Sequence, residues 1–299
     1  MSDVSLQGGE RPNELQLRRA DLKERWGLAS LALPGTLLLF VAVVMPVAVM
    51  TYLAFIGEDG GFSLEHFERL WTAPVYYLVF RMTLLVSLYT TLLVALIGYP
   101  LTYFIVQLPP RAQNIALLCV IIPLWTAVLV RTYAWLVLLR SKGVINTTLM
   151  DLGLISEPLD IAFNLTAVLI GMVHIMLPFL VMPLYASMKA IDTDLMAAAS
   201  NLGASPARAF RDIYFPLSLP GFLAGCLMVF VLCLGFFVTP AVLGGGTVIM
   251  VAMRIEAMVN FFSNWGAASA LGVTLLVTTM LIVIVAAIIS RRAAQGVLR

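Results

Sequence analysis

Charged residues are scarce in this chain, and their scarcity excludes a globular fold with a water-exposed surface. Only 11% of the 299 residues are Asp, Glu, Lys or Arg, whereas 61% are hydrophobic and the mean hydropathy is +0.99. Soluble domains carry about 25% charged residues. The composition therefore predicts an integral membrane protein built from apolar helices.

Cysteine and histidine are also few, and their positions form no pattern that is typical of metal binding or redox chemistry. The three cysteines, Cys119, Cys226 and Cys233, all lie inside apolar runs. Such positions favour small packing residues over a disulfide framework. His66 lies in a polar connection, whereas His174 lies in an apolar run, where a satisfied packing histidine is favoured over one that lines a path.

Motifs for nucleotide binding and hydrolysis are missing as well. The chain has no G-x-x-x-x-G-K-[ST] sequence, and its glycine-rich stretch at 244–247 lacks the lysine that contacts phosphate. It also lacks a zinc-protease motif, a nucleophile elbow and paired aspartates within the apolar runs. We therefore predict a protein that is not an enzyme, binds no metal or cofactor itself and has no ATP site.

Long apolar runs are what the chain has in place of charge. A helix needs about 20 apolar residues to cross a bilayer. Six windows are long enough, at 28–55, 79–105, 115–139, 165–188, 222–242 and 267–289. Arg81 and Arg131 lie near or inside the ends of these windows, which favours side chains that reach out to the interface. We predict an N-terminal segment 1–27, a six-span domain 28–290 and a tail 291–299.

The basic residues are divided unequally between the two sides of these spans. Twelve of the 18 lysines and arginines lie in the two termini and in the connections after the second and fourth spans. Only four lie in the other three connections. Because basic residues accumulate on the cytoplasmic side, we predict that both termini and the connection at about 190–220 are cytoplasmic.

That connection, between the fourth and fifth spans, has the signals of ordered structure rather than of a linker. Asp192 or Thr193 suits the start of a helix, and Gly203 suits its end in a left-handed conformation. Ser205 followed by Pro206 is the start signal of a second helix. We therefore predict two short helices that are separated at Gly203.

Each predicted short helix has apolar residues at helical spacing. Pro216 and Pro220 are expected to stop the second helix before the fifth span begins. A helix this short is marginal alone in water, so its apolar residues must pack under the bundle or against a cytoplasmic partner. These residues are Leu195, Ala198, Ala199 and Leu202 in the first helix and Phe210 and Ile213 in the second.

This connection resembles the coupling loop of ABC importer permeases, which inserts into a cleft of the ATPase subunit. The family's glutamate falls at Ala197, so the polar contact that it makes is missing from this chain. The resemblance assigns the ATPase contact to Ala197, Ala198, Ala199, Leu202, Gly203, Ala204, Arg208, Phe210, Ile213 and Pro216.

Four further stretches are similar to spermidine/putrescine-type permeases, and most closely to the first of the two permeases in those systems. They lie at 123–135, 177–185, 235–240 and 243–246. The resemblance implies an all-α, MetI-like permease fold with six transmembrane helices in the bacterial inner membrane, in contact with lipid and with no nucleic acid. It implies a polyamine solute such as spermidine or putrescine. An opine, another amine, an amino acid or ferric iron remains an alternative.

The resemblance also implies the partners of the chain. Two cytoplasmic ATPase subunits would use ATP, a second permease would share the solute path, and an extracytoplasmic binding protein would deliver the solute. An ATP-independent secondary transporter is the less favoured alternative. The sequence shows no convincing inverted repeat and almost no acidic residue within the spans, which are features of such carriers.

Aromatic and acidic residues in or next to the spans are the candidates for contact with an amine solute. Packing, or a position at the membrane interface, is the competing interpretation for each of them. The candidates are Trp125, Tyr133, Trp135, Tyr185, Phe237 and Glu256. The small-x-x-x-small stretch at 221–225 predicts close helix packing, either within the chain or between two permeases.

Overall fold

The structure is a computed structural model that describes the backbone of residues 12–57 and 60–297 and the side chains of residues 33–57 and 60–288. Most of the described residues are helical, and the only β-type pairing among them is a single bridge between Ile56 and Phe62. This confirms the all-α prediction. The side chains of the predicted segment 1–27 and tail 291–299 lie outside the described residues, so those two assignments stay predictions.

The chain divides into two compact units, residues 1–52 and residues 53–299. The described part of the first unit belongs to one helix, α1 (Pro12–Ala54). Its segment Leu33–Ala54 is long and apolar enough to cross a membrane, as predicted for the first span.

The second unit contains the remaining helices. Four helical segments, 74–107, 165–189, 206–234 and 265–288, are long and apolar enough to cross a membrane, which confirms the second, fourth, fifth and sixth spans. In chain order the helices are α2 (Glu65–Thr72), α3 (Pro74–Gln107), α4 (Pro110–Ile121), α5 (Val128–Leu139), α6 (Val144–Asp151), α7 (Leu165–Lys189), α8 (Thr193–Asn201), α9 (Pro206–Ala209), α10 (Phe215–Leu234), α11 (Val238–Leu243), α12 (Val251–Asn260) and α13 (Trp265–Val297).

The third predicted span is broken rather than continuous. Residues 110–125 form the first part of this span, and residues 128–151, which contain α5 and α6, form the second, and the two parts meet at an angle of 99°. Pro123 lies in a 3₁₀ turn at the end of the first segment, and Thr126 and Ala127 then adopt extended ψ angles of 145° and 136°. These residues interrupt the helical hydrogen bonds. The described residues hold up to six spans when this bent pair counts as one.

The boundaries of the fifth span differ from the prediction. Pro216 and Pro220 do not stop the preceding helix, because residues 206–234 form one helical segment. A π turn at Phe210–Tyr214 joins α9 to α10. Its wider ring places Pro216 in the first turn of α10, where the missing N–H and the ring are tolerated. The span then ends at Leu234 instead of continuing to residue 242.

The core of the second unit lies where α3, α7 and α10 pack together. Glycines allow their backbones to approach closely. A Cβ atom added to Gly221 would lie 2.3 Å from Ser187 Cβ, and one added to Gly225 would lie 3.1 Å from the carbonyl oxygen of Leu180. A Cβ added to Gly98 of α3 would lie 2.5 Å from Leu180 Cδ2. The stretch at 221–225 therefore packs within the chain, against α7.

Candidate coupling site

The polar connection after α7 forms two short helices, as predicted. Asp192 caps the first, since its Oδ1 accepts a hydrogen bond of 2.9 Å from the N–H of Asp194. Gly203 ends it with a φ of +82°. The N–H of Gly203 donates to the carbonyl of Ser200, and the N–H of Ala204 donates to that of Ala199, each at 3.0 Å. These two bonds make a complete Schellman motif, which fixes the turn.

The second helix begins at the predicted signal and is anchored by aromatic residues. Pro206 is its first residue, and the N–H of Ala209 donates to the carbonyl of Ser205. The rings of Phe210 and Tyr214 in the π turn each lie 5.2 Å from the ring of Tyr103 in α3. Edge-to-face contacts of this kind stabilise the packing of aromatic pairs. The end of α9 is therefore held against the bundle.

Two neighbouring contacts extend this anchor. The hydroxyl of Tyr99 in α3 lies 2.8 Å from that of Ser218 in α10. Tyr99 also packs against an apolar cluster that contains the buried residues Leu184 and Met188 of α7, and Met196 of α8 packs against this cluster too. Both short helices thus rest on the ends of α3 and α7.

Half of the predicted coupling residues face outward. Ala197, Ala198, Gly203 and Arg208 are exposed, and Leu202 is 89% exposed. A Cβ atom added to Gly203 would meet no atom within 4 Å. The turn between α8 and α9 therefore presents the apolar side chain of Leu202 outward, next to open space at Gly203 and among exposed polar residues such as Asn201 and Ser205.

The other predicted coupling residues face the protein. Ala199 is buried, whereas Ala204, Phe210, Ile213 and Pro216 are half-buried. These side chains support the short helices and leave the outward residues available to a partner. The apolar residues predicted for α8 do not all point the same way. Ala199 packs inward, whereas Leu195 is exposed.

A cavity of about 580 Å³ lies between the start of α8, the ends of α3 and α7 and the π turn. Its lining includes Tyr103, Lys189, Asp192, Met196 and Tyr214. It combines aromatic walls with one positive and one negative side chain.

Four of the predicted path residues lie apart on different helices. Trp125 is 88% exposed and Tyr133 is 54% exposed, on either side of the bend between α4 and α5. Phe237 is 37% exposed before α11, and Tyr185 is half-buried in α7. Such positions fit an apolar environment at the protein surface, and the described contacts do not gather these residues into one site.

The other two path candidates have partners within the chain. Trp135 Nε1 donates a hydrogen bond of 3.0 Å to His174 Nδ1, which confirms that His174 is a satisfied packing residue at that nitrogen. Glu256 Oε1 accepts a bond of 2.8 Å from Asn260 Nδ2, one turn later in α12. Among the described residues, no hydrogen bond or ring contact joins any two of the six candidates. No group of three His, Cys, Asp or Glu side chains with metal-ligand geometry occurs in that part of the chain.

The sequence analysis missed the environment of Arg131. This side chain is only 8% exposed, and its Nε and Nη1 atoms are buried without a hydrogen-bond partner among the described residues. The expectation that it reaches out to the interface is therefore wrong. The available signal was its position inside an apolar window, one helical turn before Trp135, which places both on one face of α5.

The fold and the coupling site together define a class of protein: a multi-pass helical membrane protein with an ordered two-helix element between two spans. Residues 93–295 match the family described as "Binding-protein-dependent transport system inner membrane component". The chain belongs to this family, the permease subunits of ABC importers. The predicted family and its membrane location are thereby confirmed.

Sequence relatives support the same assignment. The chain is 35% identical over 254 residues to the spermidine/putrescine transport system permease protein PotB of Escherichia coli (strain K12). This alignment covers 82% of this chain and 91% of that protein. It is 33% identical over 246 residues to the protein of the same name from Haemophilus influenzae, covering 80% and 86%.

Solved structures confirm the fold. One chain of a bacterial alginate ABC transporter, in complex with an alginate pentasaccharide-bound periplasmic protein, matches with a TM-score of 0.74. The match covers 91% of this chain and 96% of that chain at 18% sequence identity.

Proposed function

We propose that this chain is a permease subunit of an ATP-driven importer of a polyamine such as spermidine or putrescine. In this proposal it shares the solute path with a second, similar permease. An extracytoplasmic binding protein delivers the solute, and two cytoplasmic ATPase subunits supply the energy. The names of the relatives that are 33–35% identical over most of their length support the solute class.

The exposed turn between α8 and α9 is the observation that carries the coupling role. Leu202 is 89% exposed although it is a large apolar residue in an ordered turn. The Schellman motif holds the turn from one side, and the aromatic contacts of Phe210 and Tyr214 hold it from the other. A rigid turn that presents one large apolar side chain is suited to insertion into a cleft, since little conformational entropy is lost on binding.

Ala197 changes the chemistry of the proposed contact. It is exposed on α8, where the family resemblance places a glutamate. A methyl group cannot form the charge-assisted hydrogen bond of a carboxylate. We therefore assign the docking energy mainly to apolar contact and to the shape of the turn.

The proposal is tested with the full transporter in proteoliposomes. The chain is purified from native membranes together with the proteins that bind it, and uptake of radiolabelled spermidine and putrescine is measured. We expect uptake that requires ATP and the binding protein, and we expect no ATP hydrolysis by the chain alone. ATP hydrolysis by the isolated chain would contradict the proposed division of labour. Uptake of neither polyamine by an assembly that transports another solute would contradict the solute class.

A further inference from the structure

Arg131 carries a positive charge for which the described residues supply no ion-pair partner. It lies in the first turn of α5, directly after the bend, and it is more than nine-tenths buried. Its Nε and Nη1 atoms have no hydrogen-bond partner among the described residues. A buried cation without a partner is costly, because neither water nor an opposite charge compensates for the loss of solvation.

His174 adds a second hydrogen-bond donor next to this charge. Arg131 lies one helical turn before Trp135 on the same face of α5, and Trp135 contacts the imidazole of His174 directly. An indole N–H can only donate, so the bond from Trp135 Nε1 makes His174 Nδ1 an acceptor. The neutral imidazole then carries its proton on Nε2. Arg131 and His174 thus offer donors and no free acceptor.

No acidic residue lies in the helices around this pair. α3, α5, α7, α10 and α11 contain no Asp or Glu. His174 lies nine residues after the start of α7 and fifteen before its end, which is about 14 Å and about 22 Å along the helix axis. His174 therefore lies well away from both ends of α7, and the helices around it supply no acidic side chain, among the described residues, to balance the charge of Arg131.

We infer that Arg131 and His174 form a binding site for a carboxylate group that this chain does not supply. A carboxylate offers two acceptor oxygens, and the planar guanidinium can donate to both of them at once. The N–H at His174 Nε2 can donate to the same group. An ammonium group, in contrast, would bring only donors and a second positive charge, so this site is not the place where a polyamine binds.

Two sources can supply the carboxylate. One is an Asp or Glu side chain of the second permease, which would make the site complete only in the assembly. The other is a free carboxylate in solution. The site itself follows from the residues of this chain alone, and only the choice of the second permease as the source rests on the proposed function.

The site is tested with the purified full-length chain in lipid nanodiscs. Acetate replaces chloride stepwise at constant ionic strength, and the Tm is followed. At about ten times the acetate Kd we expect the Tm to rise by about 2–4 °C. Arg131→Gln should abolish this rise, whereas Arg140→Gln, a matched change of an exposed arginine at the end of the same helix, should preserve it. An equal rise in wild type and Arg131→Gln, or no rise in wild type, overturns the inference.

A second variant and a second preparation complete the test. If Arg131→Gln does not fold, Arg131→Lys is used. Lysine keeps the positive charge but cannot donate two parallel hydrogen bonds to one carboxylate, so the apparent acetate affinity of this variant should fall at least tenfold. An unchanged affinity would overturn the site. The titration is then repeated with the chain bound to the second permease. A lost response identifies a carboxylate of that partner, and a retained response identifies a free carboxylate.

Discussion

At the scale of single residues, Gly203 is a position where the proposed contact with the ATPase can be changed without changing the fold. Its φ of +82° favours glycine, yet a Cβ atom there would meet no atom of the chain within 4 Å. Asn and Asp adopt this conformation more readily than other side chains do. A substitution by either residue should therefore leave the helices in place and change only the outer surface of the turn.

We expect Gly203→Asp to lower uptake by more than about tenfold while the protein still inserts into the membrane. The reason is that a carboxylate beside Leu202 would be buried without a partner when the turn enters an apolar cleft. Uptake in vesicles and immunodetection of the membrane fraction measure the two quantities. Gly203→Asn is the control, because it has nearly the same size without the charge and should retain most of the uptake.

Two outcomes would contradict this interpretation. Normal uptake by Gly203→Asp would mean that the turn does not enter an apolar contact. An equal loss in Gly203→Asn would mean that the backbone conformation, and not the surface of the turn, controls transport.

At the scale of helices, we expect the close packing of α10 against α7 to limit the stability of the bundle. Gly221 has the tightest contact, since an added Cβ would lie 2.7 Å from the carbonyl oxygen of Pro183 as well as 2.3 Å from Ser187 Cβ. A backbone atom cannot move aside as a flexible side chain can. The two helices would have to separate.

We expect Gly221→Ala to lower the free energy of unfolding by about 1–2 kcal/mol, because the cost of overpacking exceeds the gain in helix propensity. Thermal unfolding in detergent measures this effect. Gly235→Ala, at the end of α10 where a Cβ meets nothing within 4 Å, should change stability by no more than about 0.5 kcal/mol. If Gly221→Ala were as stable as Gly235→Ala, close packing at 221–225 would not limit stability.

The same scale shows what the sequence can predict. The limits of α8 and α9 follow from local signals, since Asp192, Gly203 and Pro206 act within one turn of their own position. The π turn and the continuation past Pro216 depend on the rings of Tyr99 and Tyr103, more than 100 residues earlier in the chain, and no local pattern contains that information.

The candidate sites also differ in whether local sequence or only the folded chain brings their residues together. The coupling residues lie together in one short stretch of sequence, so a local pattern was enough to propose them, and their role stays a prediction. The path candidates were chosen by residue type alone, and the structure distributes them over separate helices. The hydrogen bond from Trp135 to His174 joins α5 to α7, so it emerges only after the chain has folded.

At the scale of the whole molecule, the direction of insertion is the main prediction that stays open. We predict that the α8–α9 turn is cytoplasmic, because the connections on that side carry most of the basic residues. Leu154 follows α6 and is 68% exposed, and α7 separates it from Leu202, which is 89% exposed. The two positions should therefore be accessible from opposite sides of the membrane.

Single cysteines at these positions test the orientation, after Cys119, Cys226 and Cys233 have been replaced by alanine. In right-side-out vesicles a membrane-impermeant maleimide should label Leu154→Cys and not Leu202→Cys. Inside-out vesicles should give the reverse pattern. Labelling of both positions from one side would contradict the crossing of α7, and a fully inverted pattern would contradict the predicted orientation.

The unbroken segment from Pro206 to Leu234 has a mechanical consequence. At a rise of 1.5 Å per residue, a helical segment of 29 residues is about 42 Å long. A helical segment of this length can act as a lever, since a tilt of about 5° around one end displaces the other by roughly 4 Å. The turn between α8 and α9 adjoins one end of the segment and Gly235 follows the other, so a partner that rotates this turn, as the proposed function requires, would also move the far end.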